Sequence, residues 1–513
     1  MGLARKFFTI SSLTIVSRVF GIVREAVLIR FLGASIEMDA FTTAFKFPSF
    51  FRRFFAESGF QSIFVPYFTD FVVAEKLKGA TYFSSRIFSL IFLVMLIATV
   101  IVCIFAEQFT ILMAPGFINS PEKLALTIEF TRIIFPSIAF ISLSSVYCGI
   151  LVSYQKFFIF AMIPILVNCL LVLSLFICQD MISTGRRISY GTLAAGIFQF
   201  VYMYICIKVK KLPSPKLLSL KMTPKIKELL KKLIPVLAGA GVAQINVLTG
   251  SFFASYLPTG CITFLHCADR FIQFPLALFG VSIGIVLLPE ISEQIAKKKY
   301  SNLKDVQTRA LLFTLRLTLP SVVALISLSY CAISLIYGYG KFDQDAIQNT
   351  SNILKASSLG LPAYVVAKVM SSILFAQKDS KTPLIAAIFS IVANIVFVVL
   401  LIIPFKEIGI AVGASLAGFV NVFIMFKKSK GSIAFEKSTI IDSAKILLAS
   451  LIMFAVILFI NSYYNLRNLK VFEELLLIGM SCIIGAIVYI GSLFILGDSV
   501  MRSFFNFIRK KVS

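Results

Sequence analysis

Apolar residues run in long blocks separated by short polar connections, without the alternation of a half-buried strand. A block of about 20 apolar residues is what a helix needs to cross the hydrocarbon core of a bilayer. The pattern predicts about fourteen such spans, near 8–33, 38–72, 87–106, 126–152, 157–178, 189–208, 233–257, 261–292, 309–337, 352–377, 383–404, 408–426, 440–461 and 474–497. They are read as helices because a helix satisfies its own backbone hydrogen bonds in lipid. The alternating segments of about ten residues that build a membrane β-barrel are not visible.

The connections alternate in charge. One set carries Arg5 and Lys6; Lys76, Lys78 and Arg86; Lys156; the nine lysines of 208–232; Lys297, Lys298, Lys299 and Lys304; Lys378 and Lys381; Lys427, Lys428 and Lys430; and Arg509, Lys510 and Lys511. The other set carries Glu37, Glu107, Glu122, Asp180, Asp343, Asp345, Glu473 and Glu474. The excess of basic residues in the first set is roughly fourfold, which by the positive-inside rule puts both termini in the cytoplasm and makes the span count even.

Composition removes the alternatives. Of 513 residues, 58% are hydrophobic and 14% charged, against a usual charged share of about 25%, and mean hydropathy is +0.94. Soluble domains could not cover so much apolar surface. The net charge of +25 would suggest nucleic acid in a soluble protein; here it belongs to the connections and to the membrane surface, and no nucleic-acid partner is expected. Nine cysteines without a CxxC pair imply neither a disulfide framework nor a zinc site. His266 beside Cys267 is read as ordinary packing, and no metal or cofactor is expected. The first apolar block carries Arg18, Arg24, Glu25 and Arg30, unlike a signal-peptide core, so no cleavable signal is expected.

The chain also repeats itself. Phe47-Pro48 recurs as Phe274-Pro275, Pro136 as Pro362 and Asn168 as Asn394, all 226 or 227 residues apart, while Pro66 with Pro289 and Gln155-Lys156 with Gln377-Lys378 follow with small gaps. Six spans per repeat keep both halves in one orientation, an arrangement suited to two bundles rocking about a central cavity. The expected organisation is a six-helix lobe over 1–207, a basic cytoplasmic linker over 208–232, a second six-helix lobe over 233–427, and two further helices with a basic tail over 428–513. The linker is expected to be solvated, with an amphipathic surface helix over Thr223–Lys232 as its alternative. The small-residue spacing Gly409–Gly413 is read as close helix packing.

Ionisable residues inside spans are costly and concentrate where a bundle is wet or functional. Spans 1 and 2 hold Arg18, Arg24, Glu25, Arg30, Asp39, Lys46, Arg52, Arg53 and Glu57, and span 8 adds Asp269 and Arg270. On an ideal helix Asp39, Lys46, Arg53 and Glu57 fall within an arc of about 40°. Pro48 allows Arg52 to join them. Arginines exceed acids, and guanidinium groups match phosphate oxygens in pairs, so an anionic ligand is expected. Arg30, Arg132 and Arg316, nearer span ends, are expected to snorkel. No P-loop, HExxH or nucleophile elbow is present, and no catalytic residues are expected.

Ser17-Arg18-Val19-Phe20-Gly21 with Arg24-Glu25-Ala26, and Asp39-Ala40-Phe41 through Lys46 and Pro48 to Arg52-Arg53-Phe54-Phe55-Ala56-Glu57, resemble the MurJ (MviN) family of the MOP exporter superfamily. Ala114-Pro115-Gly116-Phe117, Ala268-Asp269-Arg270 with Phe274-Pro275, and Tyr339-Gly340-Lys341-Phe342 extend the resemblance over the whole chain. It implies an all-α membrane protein of fourteen helices in two parallel six-helix lobes plus a final pair lining a lipid-tail groove. It implies flipping of lipid II, the undecaprenyl-pyrophosphate-linked disaccharide pentapeptide, in the bacterial inner membrane. It implies a monomer among membrane lipids, beside the cell-wall synthesis machinery. Arg18, Arg24, Asp39, Arg52, Glu57 and Arg270 carry over as functional positions, with Lys46 and Asp269 beside them; Arg53 is a candidate from its place on the polar stripe of span 2. Gln273 stands where some relatives are acidic. The alternatives are another MOP exporter, for lipid-linked oligosaccharides or drugs, and a membrane enzyme acting on polyprenyl phosphate.

Overall fold

The computed structural model describes all residues except 1–2, 53–58, 75–76, 178, 218–222, 282–299, 378, 429–436, 465, 467–468 and 499–513. Every regular element among the described residues is helical. In chain order these are α1 (Leu3–Leu32), α2 (Ile36–Arg52), α3 (Gly59–Val73), α4 (Leu77–Ile104), α5 (Ala106–Met113), a 3₁₀ turn (Pro115–Asn119), α6 (Pro121–Ile134), α7 (Ser137–Ser153), α8 (Phe157–Phe176), α9 (Thr184–Val209) and α10 (Pro224–Ala254). The second part of the chain forms α11 (Cys261–Pro275) with a π-helical extension Leu276–Val281, then α12 (Tyr300–Ser327), α13 (Ser329–Tyr337), α14 (Gln344–Ser358), α15 (Leu361–Ala376), α16 (Lys381–Lys428), α17 (Lys437–Ser462) and α18 (Val471–Ile495).

Among the described residues, eight helices are long and apolar enough to cross a membrane, and α14 with α15, bent by 43° at a short break, adds a ninth. α16 contains two of the predicted spans, because Lys406 (φ 48°, ψ −127°) breaks the helix between them. A side chain on Gly409 would meet the Leu401 carbonyl at 2.3 Å, and one on Gly413 would meet the Val398 side chain at 2.8 Å. That spacing therefore packs the two legs of α16 together, as read from the sequence. The remaining predicted spans fall on α1, α2 with α3, α10 and α11, where ionisable residues or residues outside the description interrupt the apolar run. Span 2, predicted as one helix over 38–72, carries α2 and α3 on either side of residues 53–58, which lie outside the described residues.

The chain forms two compact units: Met1–Ile262 with Gly340–Phe342, and Thr263–Tyr339 with Asp343–Ser513. In lipid, helices gain little by hiding apolar surface, so packing shape and polar contacts hold them together. In unit 1 a phenylalanine column on α3 supplies that shape. Phe60, Phe64 and Phe68 stack one turn apart, with centroids 5.1 and 5.5 Å apart, and Phe64 also stacks on Phe83 of α4 at 6.0 Å. α10 belongs to unit 1 because it packs on α3, on α5 and on the 3₁₀ turn. Its first turns, 224–232, bury Ile226 and Leu229 in the same core, while Lys225 lies over Phe71 at 4.4 Å and Lys232 over Tyr67 at 5.1 Å. This part of the basic connection is an amphipathic helix laid on the bundle rather than a solvated linker.

In unit 2 the final pair, α17 and α18, pack on each other and both pack on α12. Arg316 of α12 is buried, with Nε and Nη2 donating to Asp498 Oδ2 at 3.2 and 2.8 Å. The Tyr489 hydroxyl of α18 donates to the Arg316 carbonyl at 2.9 Å. The snorkelling expected of Arg316 is thus corrected: a carboxylate just beyond α18 holds it inside. Arg30 and Arg132 are exposed, and Arg132 Nε donates to the Cys103 carbonyl at 3.1 Å.

Candidate substrate site

Arg24 of α1 is held by α8, the helix that packs most extensively on α1. Arg24 Nη2 donates to Glu25 Oε2 at 2.6 Å, and Nη1 donates to Asn168 Oδ1 of α8 at 3.1 Å. The Arg24 side chain is 14% exposed and that of Glu25 only 3%. Neighbouring residues on a helix do not face each other, so a buried Glu25 reaches Arg24 only because the guanidinium bends back over it. Asn168 fixes that bend from the other side. Arg18, on the same helix, is exposed, and among the described residues no carboxylate pairs with it. The result is one braced and one open guanidinium.

On α2, Asp39 and Lys46 take different partners. Asp39 is buried, and its Oδ2 accepts from Lys123 Nζ of α6 at 3.1 Å and from the Gly260 N–H at 2.8 Å. Lys123 is itself buried and lies 5.2 Å from the Phe117 ring centroid. An ionised pair removed from water needs such further hydrogen bonds to persist. Lys46, half-buried, donates from Nζ to Ser251 Oγ of α10. The polar stripe predicted along span 2 therefore binds α2 to α6 and α10 within unit 1. Arg52 is the last described residue of α2 and its side chain is outside the described residues, as are Arg53 and Glu57 altogether.

In unit 2, Asp269 and Arg270 are both exposed on α11. Gln273, one turn along, donates through Nε2 to Asp269 Oδ2. At this position an amide orients the neighbouring carboxylate, where a second acid would repel it.

Three residues were not singled out for the site by sequence. Asn168 was visible only as a repeat anchor, although an amide inside an apolar helix is itself a signal for a polar partner. Lys123 and Ser251 gave none: one stands in a polar connection beside Glu122, the other is a small hydroxyl among many.

A sequence profile described as "Lipid II flippase MurJ" matches residues 28–481. A protein of Rickettsia prowazekii (strain Madrid E), described as a probable lipid II flippase MurJ, is 34% identical over 500 residues, 97% of this chain and 98% of its own. A lipid II flippase MurJ of Burkholderia cenocepacia is 28% identical over 97% and 98% of the two chains. A solved structure described as lipid II flippase MurJ in an inward closed conformation superposes with a TM-score of 0.79 at 29% identity, over 97% of this chain and 99% of that one. An inward-facing multidrug resistance MATE transporter of the MOP superfamily gives 0.68 at 14% identity over 82% of this chain and 97% of its own, a likeness of fold. The charged motifs of α1 and α2, the all-helical architecture and these matches lead to one assignment: the chain belongs to the lipid II flippase MurJ family.

Proposed function

We propose that the protein carries lipid II from the inner to the outer leaflet of the bacterial cytoplasmic membrane by alternating access, with both its termini in the cytoplasm. The observation that supports this chemistry is the pair of guanidinium groups on α1. Arg24 is oriented by Glu25 and Asn168, and Arg18 has no carboxylate partner among the described residues. An oriented guanidinium presents its donors as a fork that fits pyrophosphate oxygens. Lys46, Arg52, Asp269 and Arg270 are proposed as further substrate-contacting positions on the family resemblance, and Arg53 from its place on the stripe of span 2, with Glu57 beside them. Asp39 is assigned a supporting role, because Lys123 and the Gly260 N–H already occupy its buried carboxylate.

This reading needs no chemical step on the substrate, so the protein is proposed to be a transporter and not an enzyme. The membrane potential can drive both half-cycles. One charge crossing the full field is worth about 2.3 kcal/mol per 100 mV. The anionic head moves toward the positive exterior, and the emptied cationic site returns toward the negative interior. The decisive experiment is complementation of bacteria depleted of their own lipid II flippase. Growth with surface-exposed lipid II supports the reading, and no growth despite normal membrane insertion refutes it. In the same cells, collapsing the potential at constant lipid II supply should reduce exposure; unchanged exposure removes voltage from the mechanism.

A further inference from the structure

Two short turns, one from each half of the sequence, are seated on helix ends of the opposite half, and all four pieces lie in unit 1. The first is the 3₁₀ turn Pro115–Asn119. Its Gly116 N–H donates to Ser255 Oγ at 3.0 Å, just after α10 ends. A side chain on Gly116 would lie 2.2 Å from the Ser255 carbonyl oxygen, so the turn's backbone rests directly on that helix end. Phe117 beside it is buried. The second turn is Gly340–Phe342. The Lys341 N–H donates to the Arg30 carbonyl, in the last turn of α1, at 3.1 Å. A side chain on Gly340 would lie 2.3 Å from that same carbonyl oxygen, and one on Gly33 would lie 2.3 Å from the carbonyl of Lys341. Phe342 is buried as Phe117 is.

The two arrangements are related by the internal repeat. Phe342 follows Phe117 by 225 residues, and Gly260 follows Gly33 by 227, close to the spacing of the repeat anchors. Gly33 and Gly260 both turn the chain after α1 and α10 with positive φ, 60° and 98°. α1 and α10 are thus equivalent helices, and each receives the turn that belongs to the other half. A third contact joins the same region: the Gly260 N–H and Lys123, two residues into α6, meet on Asp39.

We propose that these turns form one reciprocal latch that closes the transporter at the face where α1 and α10 end, the external face on the topology proposed above. Gly116, Gly340 and Lys123 are then positioning residues for transport. The exchange makes the latch cooperative. Each half supplies one turn and one seat, so a movement that lifts one turn also moves the helix end on which the other rests. Glycine at 116 and 340 is required because closure brings backbone to within contact of backbone, leaving no room for a Cβ. The charged Lys123–Asp39 contact restricts closure to one register. The inference rests on the alternating-access reading, but the latch can be tested without substrate.

The test uses protein whose native cysteines have been replaced, carrying Ser255→Cys as a reporter in the first seat, purified into lipid nanodiscs so that both faces are open. A polar maleimide should label this thiol slowly while the latch is closed. Gly340→Ala, a change in the other turn, should raise the labelling rate at least several-fold, whereas Gly479→Ala, with nothing within 4 Å of its added methyl, should leave it unchanged. If Gly340→Ala does not accumulate in the membrane, Gly33→Ala presents the same clash from the other side of the contact. Gly116→Ala and Gly340→Ala should both lose complementation with insertion intact. Unchanged labelling of Ser255→Cys behind both glycine variants, or full complementation by Gly116→Ala and Gly340→Ala, overturns the latch. Coupled labelling in a protein that fails to complement even without these changes would leave the latch standing and remove the lipid II reading.

Discussion

Arg24 and Arg316 are both arginines inside long helices, and their surroundings differ in kind. Arg316 sends Nε and Nη2 to a single oxygen of Asp498, with side-chain exposures of 6% and 0%. Arg24 divides its two Nη groups between Glu25 and Asn168 and keeps 14% of its side chain exposed, on a helix that also displays Arg18. The first arrangement is closed: the charge is consumed by a partner that ties the end of α18 to α12. The second is braced but open. Two intramembrane arginines that look alike in a sequence can thus be a fastening and a binding group, and only burial together with the distribution of donors separates them.

The comparison breaks most visibly at the fastening. Removing one member of a buried ion pair leaves the other charged and unpaired, at a cost of about 3–5 kcal/mol. Arg316→Ala or Asp498→Asn should therefore strongly lower thermal stability in detergent and reduce accumulation in the membrane. Replacing both, Arg316→Leu with Asp498→Leu, should recover most of the loss, because no charge is stranded. A stable and fully active Arg316→Ala protein would mean that the pair fastens nothing.

The open arginines should show the opposite profile. Arg18→Ala, Arg24→Ala and Arg270→Ala are expected to abolish complementation with membrane insertion intact. Arg18→Ala and Arg270→Ala should melt close to the unchanged protein, while Arg24→Ala, which takes the partner from the buried Glu25 carboxylate, should melt lower but above Arg316→Ala, because Arg24 keeps part of its side chain exposed. Arg18→Lys and Arg24→Lys should rescue poorly, since an ammonium lacks the planar fork that pairs with phosphate oxygens. Full complementation by all three alanine variants would remove the anion site. Melting losses as large as those of Arg316→Ala would move Arg24 into the class of fastenings.

How much of this was legible follows from the range of each interaction. The helical class and the spans are local properties: a block of some 20 apolar residues states its own length requirement. Arg18, Arg24, Asp39 and Lys46 stood out because a charge in an apolar block is costly wherever it points. What the charges touch is not local. Asp498 lies 182 residues from Arg316, and Lys123 lies 84 from Asp39. Nothing near Arg316 announced a partner, so the default of a side chain reaching for the interface prevailed. Lys123 was hidden for a different reason. It follows Pro121 and Glu122 at a helix start, where a lysine is normally solvated, and only the packing of α2 against α6 turns it inward. Of the polar stripe on span 2, Asp39 and Lys46 lie among the described residues, and this acid and base are drawn to different neighbours, which helical phase alone does not reveal.

Arg132 supplies the smallest effect and the sharpest control. It too lies in a helix that belongs to an apolar span, Pro121–Ser153, and it too has a partner, the Cys103 carbonyl at 3.1 Å. By charge and position alone it resembles Arg24. By burial it does not: it is exposed, it meets no carboxylate among the described residues, and its guanidinium donates to a neutral backbone oxygen. A hydrogen bond of this kind at an exposed site contributes about 0.5–1.5 kcal/mol at most, and water or lipid headgroups can replace it. Arg132→Ala should therefore change the melting temperature by no more than a few degrees and leave complementation intact, and Arg132→Lys should be indistinguishable from the unchanged protein. The measurement is growth of flippase-depleted cells alongside a melting curve for each variant. Loss of complementation by Arg132→Ala with normal melting would show that exposure and donor sharing do not separate transport arginines from the rest, and the contrast between Arg24 and Arg316 would lose its meaning as a criterion.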